Sequence, residues 1–155
     1  MTLTVRRAVL AVTAAIGFFV GGWAAFWPVS FYEAFPGLGR IWISIDGPFN
    51  EHLVRDVGAL YLALAGASVA AIFSRTPDAG RVVGVAWTVF GIPHLAYHLA
   101  HLESLAPLDV AGNVVSLGGS LALGTVLMLP GPRSRMPGSQ SRAHRHPVTE
   151  RNTIR

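Results

Sequence analysis

The stretch VRDVGALYLALAGASVAAIF, residues 54–73, opens with an Arg-Asp pair and then runs uncharged until Arg75. It is as long as the ~20 predominantly apolar residues an α-helix needs to cross a bilayer core. Residues 8–26, 82–102 and 110–129 read the same way. Turn chemistry separates the four runs: Pro28, Pro36-Gly37, Gly47-Pro48, Thr76-Pro77-Asp78, Pro107 and Pro130-Gly131-Pro132. The pattern predicts an all-α integral membrane four-helix bundle over residues 1–129, with a long outer loop between helices one and two. Residues 130–155, rich in Pro, Gly, Ser and Arg, are expected to be a disordered tail.

Composition agrees with the spans. The 155 residues are 52% hydrophobic and 13% charged, about half the charge of a soluble domain. The absence of cysteine removes disulfides, thiolate metal sites and thiol nucleophiles. All twelve basic residues are Arg, and their placement predicts orientation. Arg6, Arg7, Arg75, Arg81 and the six of the tail fall on one side of the expected membrane, with only Asp78 and Glu150 as acids. The other side holds Arg40 and Arg55 against Glu33, Asp46, Glu51, Asp56, Glu103 and Asp109. Both termini are therefore expected in the cytoplasm, with the tail drawn to anionic lipid. The high isoelectric point, about 10.7, follows from topology rather than from a nucleic-acid partner. Arg6-Arg7 and the apolar run after them imitate a signal peptide, but GGWAAFWP offers no small-x-small cleavage pattern.

Small residues recur every four positions: Gly17, Gly21, Ala25; Ala59, Ala63, Ala67, Ala71; Gly112, Ser116, Ser120, Gly124. Such stripes let helix backbones approach closely in lipid and predict a self-packed bundle, with a homo-oligomer as the alternative use. In the outer loop, Ser30 and Glu33 have capping-box spacing, RIWISI alternates like a strand, and Gly47-Pro48 is expected to open the next helix. Trp23, Trp27, Tyr32 and Trp42 are read first as interfacial anchors, with a lid as the alternative.

The polar residues converge on the outer side. NEHLVRD offers Glu51–Arg55 and His52–Asp56 pairs at four-residue spacing. PHLAYHLAHLE places His94, His98 and His101 on one helical face, with His98 and His94 respectively ~4.5 Å and ~10 Å deeper than His101. Asp109 and Asn113 begin span four at the same side. Charge at such depth is costly unless paired or turned inward. Three readings follow. The first is a structural or accessory subunit in which these groups tie helices together. The second is a metal or haem site for zinc, copper or iron, with His52, Asp56, His94 and His98 at its centre and Glu51, Arg55 and His101 at its mouth. The third is a proton relay or a site for a small ligand or quinone. No motif selects an enzymatic reaction.

The segments WPVSFYEAFPG, DGPFNEHLVRDVGALYLALA and GIPHLAYHLAHL resemble the DoxX-like group of small four-helix bacterial membrane proteins over residues 8–129. The resemblance implies a multi-pass protein of the bacterial inner membrane. Because some members are associated with quinone-linked oxidoreductases, it also implies a membrane redox partner. It transfers no catalytic residue.

Overall fold

The computed structural model describes residues 1–131, so the expected tail lies outside the described residues except for Pro130 and Gly131. The chain is all-α, in the order α1 (Leu3–Phe26), α2 (Pro28–Ala34), β1 (Pro36–Gly37), β2 (Arg40–Ile41), α3 (Glu51–Ile72), α4 (Pro77–Leu99) and α5 (Pro107–Leu127). Helices α1, α3, α4 and α5 are each long and apolar enough to cross a membrane, which makes this a multi-pass membrane bundle. We call the end holding the α1–α3 connection the loop end and the opposite one the terminal end.

Local chemistry sets the helix boundaries. Thr2 caps α1 by accepting from the Val5 amide at 3.3 Å, and Asn50 caps α3 by accepting from Leu53 at 3.1 Å. Pro28, Pro77 and Pro107 each start a helix where a missing N–H costs nothing. The Ser30–Glu33 capping box does not form: α2 starts at Pro28, and the Ser30 hydroxyl instead accepts from Trp23 Nε1 at 3.1 Å. Nor does Gly47-Pro48 open α3, because the side chain able to satisfy its first amides is Asn50. The strand expected in RIWISI shrinks to Arg40–Ile41, paired antiparallel with Pro36–Gly37. Leu38 and Gly39 both have positive φ, 57° and 73°, as a two-residue type I′ hairpin turn requires.

The four long helices form two tightly apposed pairs. In the α1–α3 pair, a Cβ built on Gly21 would lie 2.8 Å from the Gly58 carbonyl oxygen and 2.8 Å from the Leu62 amide. One on Gly17 would lie 2.8 Å from the Tyr61 carbonyl oxygen. In the α4–α5 pair, a Cβ on Gly84 would meet the Gly124 carbonyl oxygen at 2.7 Å, and one on Gly124 would meet Trp87 Cβ at 2.9 Å. The α3 partner face is therefore Gly58, Tyr61 and Ala65; of the expected stripe, Ala59, Ala63 and Ala67 are exposed and only Ala71 is buried. Residues four apart rotate by ~40° per step around an α-helix, so a strict four-residue stripe leaves any one interface.

At the terminal end the two pairs close on each other. Leu10, Leu64, Val83, Trp87 and Leu127 form the core, and Ser68 accepts from Thr13 Oγ1 at 3.2 Å and from Trp87 Nε1 at 3.1 Å. Arg6, read in the sequence as a flanking charge, lies inside α1 and is buried at 2% exposure. Its guanidinium donates to the carbonyl of Leu127, and to that of Leu129 at 2.6 Å. It thus caps the last turn of α5, whose final carbonyls have no intrahelical partner. Gly80 leaves room for the arginine stem, since a Cβ there would lie 2.7 Å from Arg6 Cδ.

The seam predicts opposite outcomes at adjacent positions. Gly21→Ala must push α1 off α3 and is expected to cost roughly 1–3 kcal/mol, as overpacking does. Gly22→Ala meets nothing within 4 Å and is expected to be neutral or slightly stabilising. Thermal unfolding of the two variants in one detergent measures the difference.

Candidate functional site

Toward the loop end the helix pairs diverge around a cavity of about 390 Å³. Ile16 and Val20 of α1 and Val54, Val57 and Tyr61 of α3 make one wall; His94 and His98 of α4 and Asn113, Ser116, Leu117 and Ser120 of α5 make the other. The α1–α3 connection covers it with Phe31, Phe35, Trp42 and Ile43. Two of the small residues from the expected α5 stripe, Ser116 and Ser120, therefore serve the cavity. Gly112 lies under the cover, where a Cβ would sit 2.8 Å from the Trp42 ring.

The cover is pinned, and the pin is Asp109. One oxygen of its carboxylate, Oδ1, accepts from Arg40 Nη1 at 3.0 Å and from Trp42 Nε1 at 2.9 Å, and the Asp109 side chain is only 15% exposed. Asp109 stands in the first turn of α5, where the helix dipole also favours a negative charge. Beneath, Trp23, Phe31, Phe35 and Trp42 pack in a cluster of edge-to-face and tilted rings with centroids 4.6 to 6.1 Å apart. The Tyr32 hydroxyl donates to the Gly47 carbonyl at 2.6 Å, which ties the far end of the loop to α2. Of the four aromatics read as anchors, Trp23, Tyr32 and Trp42 hold the cover by hydrogen bonds. Trp27, 64% exposed, is left to the surroundings.

The polar residues divide into an inner and an outer set. His94 and His98 face the cavity with ring centroids 4.9 Å apart; His94 also stacks on Phe90 at 5.0 Å and meets Tyr61 edge-on at 6.3 Å. Asn113 is 2% exposed, and its side-chain Oδ1 has no hydrogen-bond partner among the described residues. A buried amide oxygen left unmatched costs free energy, so its retention on a cavity wall marks a place for a donor.

His52 and Asp56 belong to the outer set. They pair with each other at 3.2 Å, with side chains 88% and 62% exposed, and do not line the cavity. Arg55 binds Glu51 at 2.8 Å and donates to the Ala25 carbonyl in the last turn of α1. His101 lies past the end of α4, its ring stacked on Tyr97 at 4.2 Å and its Nδ1 2.8 Å from the Tyr97 carbonyl. The expected centre of His52, Asp56, His94 and His98 is therefore not assembled. Among the described residues no three His, Cys, Asp or Glu side chains are placed to hold a metal ion. The separation follows from helix phase: α3 turns Gly58 and Tyr61 inward, which leaves His52 and Asp56 on its outer side. Sequence reading placed Asn113 and Asp109 at the right end of the bundle but missed their roles. It missed Arg40 as the partner of Asp109, since 69 residues separate them.

No protein-family model, curated protein or solved structure matches this chain.

Removing the pin tests the cover. Asp109→Ala strands Arg40 and Trp42 together and is expected to cost roughly 1–3 kcal/mol, the usual penalty for unpairing largely buried polar groups. It should also speed proteolysis between residues 40 and 46. Glu51→Ala, which breaks an exposed pair, should leave the cleavage rate unchanged. Limited proteolysis of the two variants in lipid nanodiscs reads both effects.

Proposed function

We propose that this chain is a small-molecule-binding protein of a bacterial cytoplasmic membrane, with both termini in the cytoplasm and the cavity toward the outer leaflet. The observation that carries the binding role is the partnerless Asn113 side-chain oxygen on the wall of an otherwise mainly apolar, roofed cavity. A volume of about 390 Å³ suits a compact organic molecule. Its apolar body would lie against Ile16, Val20, Val57 and Leu117. Its polar group would reach Asn113, His94 and His98. Arg6, Arg7, Arg75 and Arg81 at the terminal end, together with the six Arg that follow residue 131 in the sequence, support the orientation. The DoxX-like resemblance agrees with the layout and stays part of this proposal.

Binding is tested by mass spectrometry of the organic extract from protein purified in detergent. Wild type should yield a small molecule at near-stoichiometric amount. Asn113→Leu should reduce its occupancy about tenfold through loss of one buried polar contact, and Leu117→Trp, which fills the cavity, should abolish it. Folded wild type without an extractable molecule, or equal occupancy in all three, overturns the reading. For topology, reporter fusions at both termini are expected to be active in the cytoplasm and silent outside it.

A further inference from the structure

The walls of the cavity carry an asymmetry of charge. Among the described residues, Asp46 is the one carboxylate lining it, and no Arg lines it. The nearby arginines are engaged elsewhere, Arg40 by Asp109 and Arg55 by Glu51 and the Ala25 carbonyl. Glu51, Asp56, Asp78 and Asp109 are paired, whereas Glu33, Asp46 and Glu103 have no ion-pair or side-chain hydrogen-bond partner among the described residues, and of these three Asp46 alone lines the cavity. Asp46 is exposed, so it stands where the cavity meets its surroundings, and an unpaired carboxylate there favours a cation over an anion.

The same wall is aromatic. Phe31, Tyr32, Phe35, Trp42, Tyr61 and Tyr97 all line the cavity. The hydrogen bond from Tyr32 to Gly47 ties one of these rings to the backbone next to Asp46. Ring faces attract cations, and cages of several aromatics with one acid are the usual surroundings of substituted ammonium groups. His94 and His98 are the remaining cavity side chains able to become positive, and in their neutral form they leave this balance intact.

We infer that the molecule bound here is a lipophilic monocation, an amine or quaternary ammonium on an apolar body, with its charge at the Asp46 side and its body in the cavity. This rests on the binding role proposed above and adds the ligand's charge to it.

Three probes of one shape test the charge: 4-phenylbutyltrimethylammonium, its uncharged tert-butyl analogue and 4-phenylbutanesulfonate. Each is titrated at about pH 8, above the ordinary imidazole range, into the full chain in nanodiscs of zwitterionic lipid. Empty nanodiscs correct for partition. The cation should bind at least about tenfold tighter than the uncharged analogue, and the sulfonate weakest. Asp46→Asn should cut the preference severalfold, leaving the part due to the rings, with unfolding temperature unchanged, and Asp46→Glu should retain it in full. If cation and uncharged analogue bind wild type equally, or the preference is undiminished in Asp46→Asn, the assignment of the charge to the Asp46 side is wrong while the binding role stands. If none of the three binds folded protein, the cation assignment falls, and the extracted-molecule experiment decides the binding role by itself.

Discussion

The closest backbone approaches in this bundle, α1 on α3 and α4 on α5, are the constraint on which its other features depend. Lipid offers no hydrophobic incentive for helices to associate, so contact area and short-range packing must hold them. Gly17, Gly21 and Gly58 on one seam, and Gly84 and Gly124 on the other, allow approaches that any side chain would block. Two rigid pairs result. Because they converge at one end only, the other end is left with a volume that the helices themselves do not fill.

The two ends solve that geometry differently. At the terminal end, Trp87, Leu10 and Leu127 fill the space, and a short polar relay through Thr13, Ser68 and Trp87 spans three helices. Interhelical hydrogen bonds of this kind average roughly 0.6 kcal/mol in membranes, so the relay fixes register more than it adds stability. Arg6 does more, satisfying two carbonyls at the close of α5 and replacing the water they would otherwise need. At the loop end the filling is supplied by the α1–α3 connection. That connection folds inward because its aromatics pack edge-on against Trp23 of α1 and its Arg40 and Trp42 share the Asp109 carboxylate. It therefore acts as a structural roof over the cavity, beyond the interfacial anchoring that its composition alone indicates.

The roof also explains why polar residues survive at this depth. His94, His98, Asn113, Ser116 and Ser120 would be expensive against lipid. Between the two helix pairs and under the aromatic rings, His94, His98 and Asn113 face the cavity, while Ser116, which stays exposed, and Ser120 donate to carbonyls of their own helix, those of Asn113 and Leu117. The outer pairs, His52 with Asp56 and Glu51 with Arg55, need no such shelter because they lie in the first turns of α3, where charge can reach the interface.

Hydropathy and turn residues were enough to determine four spans, their approximate limits and the side on which the polar residues gather, because each of these is set by local composition against a bilayer of fixed thickness. The arginine distribution carried an expected orientation for the same reason. Helix rotation was not readable in this way. Stripes at four-residue spacing indicated that close packing would occur, but the drift of such a stripe around the helix hid the faces that pack: Ala59 and Ala63 are exposed while Gly58 and Ala65 are buried. Rotation of α3 by a fraction of a turn decides whether His52 and Asp56 join His94 and His98, and it keeps them apart. The Arg40–Asp109 pin, the Arg6 cap and the unmatched Asn113 oxygen belong to tertiary structure alone. Each depends on where distant backbone segments stop, which no local pattern in the chain encodes.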